Sequence, residues 1–183
     1  MRVIGLAGWS GAGKTTLLVR LIPILRARGL TVSTLKHAHH AFDIDRPGKD
    51  SYEHREAGAS EVLVASARRW ALLHELRDGE GEPPLAELLL RLSPVDLVVV
   101  EGFKTHAHPK IEVHRTANGK PPLFRQIPGV RAIASDVALP EAGLPLLSLD
   151  DTSAIADAVL EHAVPVADVV RLLSAAPAPE RLR

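Results

Sequence analysis

One segment constrains the fold of this chain more than any other. Residues 8–15 have the sequence GWSGAGKT, which matches the phosphate-binding P-loop pattern G-x-x-x-x-G-K-[ST]. The apolar residues 3–7 before it predict a buried strand, and residues 16–28 after it predict a helix. Its glycines let successive backbone N–H groups point at phosphate oxygens, and the helix N-terminus adds partial positive charge. The segment therefore predicts a nucleoside triphosphate site.

Composition narrows the class of protein further. The net charge is zero, so we expect no nucleic-acid partner, because a long polyanion needs a basic surface. The chain has no cysteine, which excludes disulfides, cysteine-type zinc sites and thiol catalysis. No apolar run approaches the roughly 18 residues that span a bilayer, and the first strand runs straight into the P-loop without a signal peptide. We expect a soluble, cytoplasmic protein.

Strand-like and helix-like segments alternate along the chain, which is typical of a parallel sheet with helices on both faces. The pattern predicts an α/β fold of the P-loop NTPase type, a three-layer sandwich with a mainly parallel central sheet. Residues 61–65 and 70–76 could form an antiparallel hairpin. We expect one P-loop NTPase domain over residues 1–174 and a disordered Ala/Pro-rich tail over 175–183.

A second signal is the apolar run at residues 97–100 followed by Glu101 and Gly102. P-loop proteins place a carboxylate at the end of a central strand, where it binds Mg²⁺ directly or through water. Glu101 is the candidate for this carboxylate, with a capped strand end as the alternative. Asp96 begins the same strand, so it should lie at the opposite edge of the sheet.

The charged stretch at residues 36–51 should lie at the carboxyl edge of the sheet, where α/β proteins bind ligands. Its carboxylates could position water or Mg²⁺, and its cations could hold a second anion; the alternative is a solvated loop. The carboxylates are Asp43, Asp45 and Asp50, and the cations are Lys36, Arg46 and Lys49. Asp50 is the best candidate for orienting an attacking water.

Histidines are concentrated in two regions, the loop after the second strand and the segment after Glu101. They are His37, His39, His40 and His54 in the first region, and His106, His108 and His114 in the second. Convergent imidazoles could form a transition-metal site or bind a phosphate or pterin. Their spacing fits no standard zinc pattern.

A late strand at residues 130–134 is followed by Ser135 and Asp136. Many guanine-specific P-loop proteins place an aspartate after a late strand, where its carboxylate accepts from the N1–H and N2–H₂ of guanine. The usual Asn-Lys-x-Asp form is absent here. Asp136 is the candidate base-reading residue, and a polar strand end is the alternative.

Six ordered segments over about residues 2–165 resemble the molybdopterin-guanine dinucleotide biosynthesis protein B family. They are GWSGAGKTT from Gly8, the stretch with KH at 36–37 and FD at 42–43 through to DS at 50–51, HREAGA from His54, VEGFK from Val100, PKIE from Pro109 and ASD from Ala134. The resemblance implies a GTP-binding adapter, a homodimer with weak GTPase activity, in molybdenum cofactor biosynthesis. Its partner would be the guanylyltransferase that attaches GMP to molybdopterin.

The resemblance also implies roles for particular residues, with GTP and Mg²⁺ as cofactors. Phosphates would be held by Gly11, Ala12, Gly13, Lys14, Thr15 and Thr16. Thr15 and Glu101 would bind the metal. The resemblance identifies no general base; our candidate catalytic residues are Lys14 and Asp50. Whether molybdopterin binds this chain or only its partner stays open. So do two other functions, a small-molecule P-loop kinase and a GTP-dependent metallochaperone.

Overall fold

The computed structural model describes residues 1–38, 42–77 and 79–175. They form two compact units, which we describe separately. The first comprises Met1–His37 and the described residues from Leu85 onward, and the second lies within Ala38–Pro84. The single domain expected over residues 1–174 stays a prediction. The tail beyond Ala175 lies outside the described residues.

The elements alternate as the sequence predicts. The strands are β1 (Arg2–Ala7), β2 (Val32–Lys36), β3 (Glu61–Ala65), β4 (Trp70–His74), β5 (Leu97–Glu101), β6 (Lys110–His114), β7 (Val130–Ser135), β8 (Leu146–Ser148) and β9 (Val164–Pro165). The helices are α1 (Lys14–Ala27), α2 (Asp50–Glu56), α3 (Leu85–Leu90), α4 (Thr152–His162) and α5 (Val166–Ala175).

The first unit contains a sheet with the strand order β2-β5-β1-β6-β7-β8, in which all these neighbours are parallel. β1 pairs with β5 on one side and β6 on the other, so the loop after Ala7 leaves from the middle of the carboxyl edge. The two-residue strand β9 pairs antiparallel with the start of β1. A strand this short carries no periodicity, and the sequence did not predict it.

Helices cover both faces of this sheet, which confirms the three-layer architecture. Ile4 and Leu6 of β1 belong to a buried cluster with Leu21 of α1 and Ile155 of α4. On the opposite face, the buried residues of β1, β5, α3 and α5 form a second cluster that includes Val3, Val98, Val100, Leu89 and Val169. Alternate residues of β1 and β5 thus face opposite helix layers, as expected for a strand buried on both sides.

The second unit contains α2 and the β3–β4 hairpin. The strands pair antiparallel with Leu63 opposite Leu72 and Ala65 opposite Trp70, which confirms the predicted hairpin. These two pairs share one face of the ribbon, because alternate residues of a strand point the same way. Among the described residues, no helix combines the length and the hydrophobicity that crossing a bilayer would require.

Candidate functional site

The P-loop joins the buried strand β1 to the exposed start of α1. α1 begins at Lys14 with Gly13 as its N-cap residue, at φ +92°, and no side chain caps the helix. Its first turn contains no acidic residue. The backbone N–H groups of this turn have no intrahelical partner, so with the helix dipole they form a site suited to an anion.

Close packing of the loop against β6 requires glycine at position 8. A Cβ on Gly8 would lie 2.5 Å from the carbonyl oxygen of Val113, far inside van der Waals contact. The backbone at Gly8 also has φ +156°, which side chains rarely allow. The first glycine of the motif therefore lets the loop leave β1 while touching the neighbouring strand.

Lys14 lies within the loop that its ammonium group would serve. Its Nζ donates to the carbonyl oxygens of Gly8 and Trp9, at 3.0 Å each. Burial lowers the pKa of Lys14, and nearby Lys104 and Lys36 lower it further, whereas Glu101 opposes the shift. Several charged groups thus converge where the P-loop faces the carboxyl end of β5.

Thr15 and Glu101 meet as the metal-site prediction requires. The Thr15 hydroxyl donates to Oε1 of Glu101 at 2.8 Å, and the Nζ of Lys36 lies 3.7 Å from the same oxygen. Glu101 is buried at the end of β5. A hydroxyl and a carboxylate are ligands that Mg²⁺ accepts beside phosphate oxygens and water, so these two residues fit the ion.

Asp96 directly precedes β5 and lies at the opposite edge of the sheet, as expected. Its Oδ2 accepts from the backbone N–H and the hydroxyl of Thr31, at 2.8 and 2.6 Å. Asp96 therefore ties the start of β5 to the start of β2, away from the P-loop.

Two of these histidines, His37 and His106, contact the ring of Phe103. The Phe103 ring stacks on His37 at 4.5 Å between centroids and meets the edge of His106 at 4.9 Å. His108 is fully buried, and burial lowers its pKa well below the ordinary value. Within the described ranges, no group of three or more potential ligands has metal-binding geometry, so these residues do not support a transition-metal site. His39 and His40 lie outside the described residues.

Asp136 follows β7 as predicted, and its carboxylate has a partner that the sequence did not reveal. Its Oδ1 accepts from the backbone N–H and the hydroxyl of Thr116, at 2.9 and 3.1 Å. The hydrogen bond from the Thr116 N–H lowers the pKa of Asp136. Asp136 thereby anchors the 3₁₀ turn Thr116–Asn118, which follows β6.

This turn lies beside the P-loop. The Oδ1 of Asn118 is 3.3 Å from the position of a Cβ on Gly11, and the Nε of Arg115 is 3.6 Å from that of a Cβ on Gly13. Arg115 and Asn118 belong to no motif that the sequence reveals. Only the strand order, which makes β6 the neighbour of β1, places them here.

A shallow, open cavity of about 290 Å³ lies on the surface between the carboxyl ends of β7 and β8. It is lined by Ser135, Asp136, Val137, Ala138, Leu146, Leu147 and Ser148. The carboxyl edge of a parallel sheet is where α/β folds bind their ligands, so the cavity places Asp136 at a candidate pocket.

Trp9 occupies a variable position of the P-loop motif, so the motif itself assigns it no role. Its Nε1 donates to the carbonyl oxygen of Pro121 at 2.8 Å, and Lys104 Nζ lies 4.4 Å from the ring centroid. The ring also packs on the buried cluster of Ala7, Leu123 and Ile127. Trp9 thus links the P-loop to the segments after β5 and β6.

Polar residues on one face of β6 hold the segment that covers Trp9. The Nζ of Lys110 donates to the carbonyl oxygens of His106, His108 and Pro128 at 2.5–2.7 Å. Oε1 of Glu112 accepts from the backbone N–H of Leu123 at 2.6 Å. Lys110 and Glu112 are both buried, although their alternation with apolar residues is typical of a strand with one solvent-facing side.

In the second unit, Asp43 and Asp45 surround Arg55. Asp43 Oδ2 lies 2.8 Å from Nη2 of Arg55, and Oε1 of Glu75 lies 2.9 Å from Nη1 of the same guanidinium group. Asp45 Oδ2 is 3.9 Å from the Nε of Arg55. These carboxylates are engaged in ion pairs. Asp50 begins α2, and its role in orienting water stays a prediction.

A glycine-rich loop leads from the central parallel strand β1 to an uncapped helix. The Lys-Thr pair of this loop faces the carboxylate that ends β5, the neighbouring strand in the sheet. With the layered α/β sheet, this arrangement defines the fold class of P-loop NTPases. The chain belongs to the family described as molybdopterin guanine dinucleotide synthesis protein B (MobB), whose model matches residues 3–136.

Individual proteins agree with this assignment. The chain is 47% identical over 162 residues to the molybdopterin-guanine dinucleotide biosynthesis adapter protein of Escherichia coli strain K12, covering 87% of this chain and 91% of that protein. The adapter protein of Haemophilus influenzae is 42% identical over 156 residues, covering 85% of each. The crystal structure of Bacillus subtilis MobB aligns with a TM-score of 0.71 at 25% identity, covering 88% of this chain and 98% of that one.

Proposed function

We propose that this chain is a GTP-binding adapter in the biosynthesis of molybdopterin guanine dinucleotide. In the cytoplasm it would bind Mg·GTP and assist the guanylyltransferase that attaches GMP to molybdopterin. The observation that carries the nucleotide part is the uncapped N-terminus of α1, with Lys14 beside it and Thr15 joined to Glu101. The adapter part rests on the names of the relatives.

The phosphates would lie against the backbone of residues 11–16, where N–H groups lack helical partners. Lys14 would exchange its two carbonyl acceptors for β- and γ-phosphate oxygens. Thr15 and Glu101 would hold Mg²⁺, which neutralises phosphate charge when bound. We propose weak hydrolysis in which Lys14 stabilises charge on the phosphates and Asp50 orients the water.

Guanine would lie in the cavity between β7 and β8. Asp136 uses Oδ1 for Thr116, which leaves Oδ2 to accept from the base. Guanine presents two adjacent donors at N1–H and N2–H₂, whereas adenine presents an acceptor at N1, so a carboxylate favours guanine. The cavity is bordered by this residue, which supports its role as the base-reading group.

A homodimer is the oligomeric state that we propose. The face of the β3–β4 hairpin that carries the Leu63–Leu72 and Ala65–Trp70 pairs is apolar, with Leu63 62% and Trp70 66% exposed. Exposed apolar strands favour association with another chain. A second copy presents the same face, and a symmetric contact would bury both.

The base assignment is tested by Asp136→Asn. The asparagine oxygen can still accept from Thr116, but its NH₂ group replaces the acceptor that guanine needs. We expect GTP affinity to fall roughly tenfold to a hundredfold, the range for one or two charge-assisted hydrogen bonds. Xanthosine triphosphate carries a carbonyl in place of the guanine amine, so its affinity should rise in the same variant.

Calorimetry with GTP, ATP and xanthosine triphosphate measures these affinities, with Asp96→Asn as the matched control at the opposite edge of the sheet. The control should bind all three nucleotides as the wild type does. Equal weakening of GTP and ATP in Asp136→Asn, without a gain for xanthosine triphosphate, would show that Asp136 does not read the base.

A further inference from the structure

Lys104 is a second lysine beside the P-loop. It lies outside the P-loop motif, which therefore does not explain its position. Its ammonium lies 4.4 Å from the centroid of the Trp9 ring. Burial lowers its pKa, and no carboxylate of the described residues opposes that shift. A partly buried cation that rests on an aromatic face loses hydration without gaining a full counter-charge. Such a cation is suited to binding an anionic group of a ligand.

The backbone before Lys104 has an unusual conformation. Gly102 and Phe103 have φ angles of +98° and +47°, and Phe103 is the only non-glycine residue with positive φ in the described part of the chain. Left-handed backbone is unfavourable for a bulky side chain. It persists here because the Phe103 ring is buried between His37 and His106.

This packing fixes the position of the backbone from which the Lys104 side chain extends. The two left-handed residues turn the chain sharply at the end of β5, directly after the metal-side carboxylate Glu101. A Cβ on Gly102 would lie 2.8 Å from the Cβ of His37, so the turn also packs against the segment after β2. Strain of this kind is typical of functional sites, because the surrounding structure must hold it.

Charge balance indicates which anion Lys104 would meet. Mg²⁺ leaves a bound triphosphate with about two uncompensated negative charges. Lys36 and Lys104 both lie close enough to Lys14 to lower its pKa, and Glu101, which lies 3.7 Å from Lys36, offsets one of these three positive charges. The two positive charges that remain would neutralise the triphosphate, whereas a diphosphate needs one fewer.

We propose that Lys104 is a γ-phosphate contact, which leaves the Trp9 ring for a γ-phosphate oxygen when the triphosphate binds. The chain then distinguishes GTP from GDP through Lys104. This inference rests on the proposed nucleotide site at the P-loop. Because Lys104 departs from Trp9, the indole becomes a reporter of the γ-phosphate.

Lys120 supplies a matched control. Its ammonium also faces the Trp9 ring, at a distance of 5.6 Å, but it is not among the charges that act on Lys14. Replacement of either lysine by methionine removes one positive charge near the same ring and shortens the side chain by only one atom. Only the change at Lys104 should alter the preference for triphosphate.

The experiment uses a Trp70→Phe background, which leaves Trp9 as the single tryptophan. Affinities for a non-hydrolysable GTP analogue and for GDP are measured by calorimetry in this background, in Lys104→Met and in Lys120→Met. We expect Lys104→Met to weaken the triphosphate analogue roughly tenfold and GDP less than twofold, as for one lost charge-assisted contact. Lys120→Met should leave their ratio unchanged. Lys104→Arg, which keeps the charge, should restore most of the preference.

Trp9 fluorescence gives an independent measurement. Its emission should change with the triphosphate analogue but not with GDP, and Lys104→Met should abolish the difference. Equal weakening of both nucleotides by Lys104→Met, or an equal effect of Lys120→Met, would overturn the inference while leaving the nucleotide site intact. Failure of the unsubstituted background to bind either nucleotide would instead refute the proposed function.

Discussion

Glu112 offers the sharpest test of how β6 supports the P-loop. It is 1% exposed, and its Oε1 accepts from the Leu123 N–H at 2.6 Å. Its Oε2 has no hydrogen-bond partner among the described residues. One oxygen of this carboxylate therefore holds the segment that packs on Trp9, and the buried negative charge is unfavourable.

We compare Glu112→Leu with Glu112→Gln. Leucine leaves the buried Leu123 N–H without an acceptor, which costs about 1–3 kcal/mol, and removal of the buried charge offsets part of this. We expect a net loss of about 2 kcal/mol in the free energy of unfolding, or a Tm lower by about 4–8 °C for a protein of this size. Glutamine keeps the accepting oxygen, so its effect should stay within about 1 kcal/mol.

The pH dependence provides a second measurement. Burial raises the pKa of Glu112 above the ordinary value of 4.5, while the N–H groups and His114 oppose the shift. Because the folded state holds its proton more tightly, this contribution to stability is complete below pH 4.5 and is lost as the pH rises through the raised pKa. As the pH rises from 4.5 through the raised pKa, the wild type should therefore lose stability relative to Glu112→Gln.

Urea unfolding followed by circular dichroism measures both effects at each pH. If Glu112→Gln unfolds as readily as Glu112→Leu, the negative charge itself is required and the hydrogen-bond argument is wrong. If Glu112→Leu matches the wild type, the covering segment does not depend on this carboxylate.

Two further predictions concern the metal and the hairpin. Glu101→Gln keeps an acceptor for the Thr15 hydroxyl but removes the metal-binding charge. Mg²⁺-dependent GTP hydrolysis should fall at least tenfold, while GTP affinity without Mg²⁺ is retained. Unchanged turnover would mean that the metal binds elsewhere. Leu72→Glu places a charge on the exposed hairpin face; light scattering after gel filtration should show a monomer that still binds GTP, whereas a persistent dimer would place the interface on another surface.

The sequence predicted most of the fold because its local signals agree with the tertiary structure. Continuous apolar runs gave β1 and β5 nearly to the residue. Aspartate is a common N-cap residue, and the Oδ1 of Asp151, directly before α4, accepts from the Ala154 N–H at 2.9 Å. The Thr15–Glu101 contact followed from the same logic, since the ends of adjacent parallel strands meet at one edge.

Features that the sequence did not predict depend on contacts between distant segments. Lys110 and Glu112 alternate with apolar residues as on a solvated strand, but the segment that includes Leu123 and Pro128 covers them. The positive φ of Phe103 depends on the packing of two histidines around its ring. Neither arrangement leaves a periodic signal in the chain.

Calorimetric titration of GTP in the presence of Mg²⁺ into the wild type and Lys14→Ala tests the central claim most directly. The Lys14 ammonium is the cation placed inside the loop, and its removal should abolish detectable binding while the fold is retained. Wild-type protein should bind GTP more tightly than ATP. Near-normal GTP affinity in Lys14→Ala, or equal affinity of the wild type for the two nucleotides, would contradict the account.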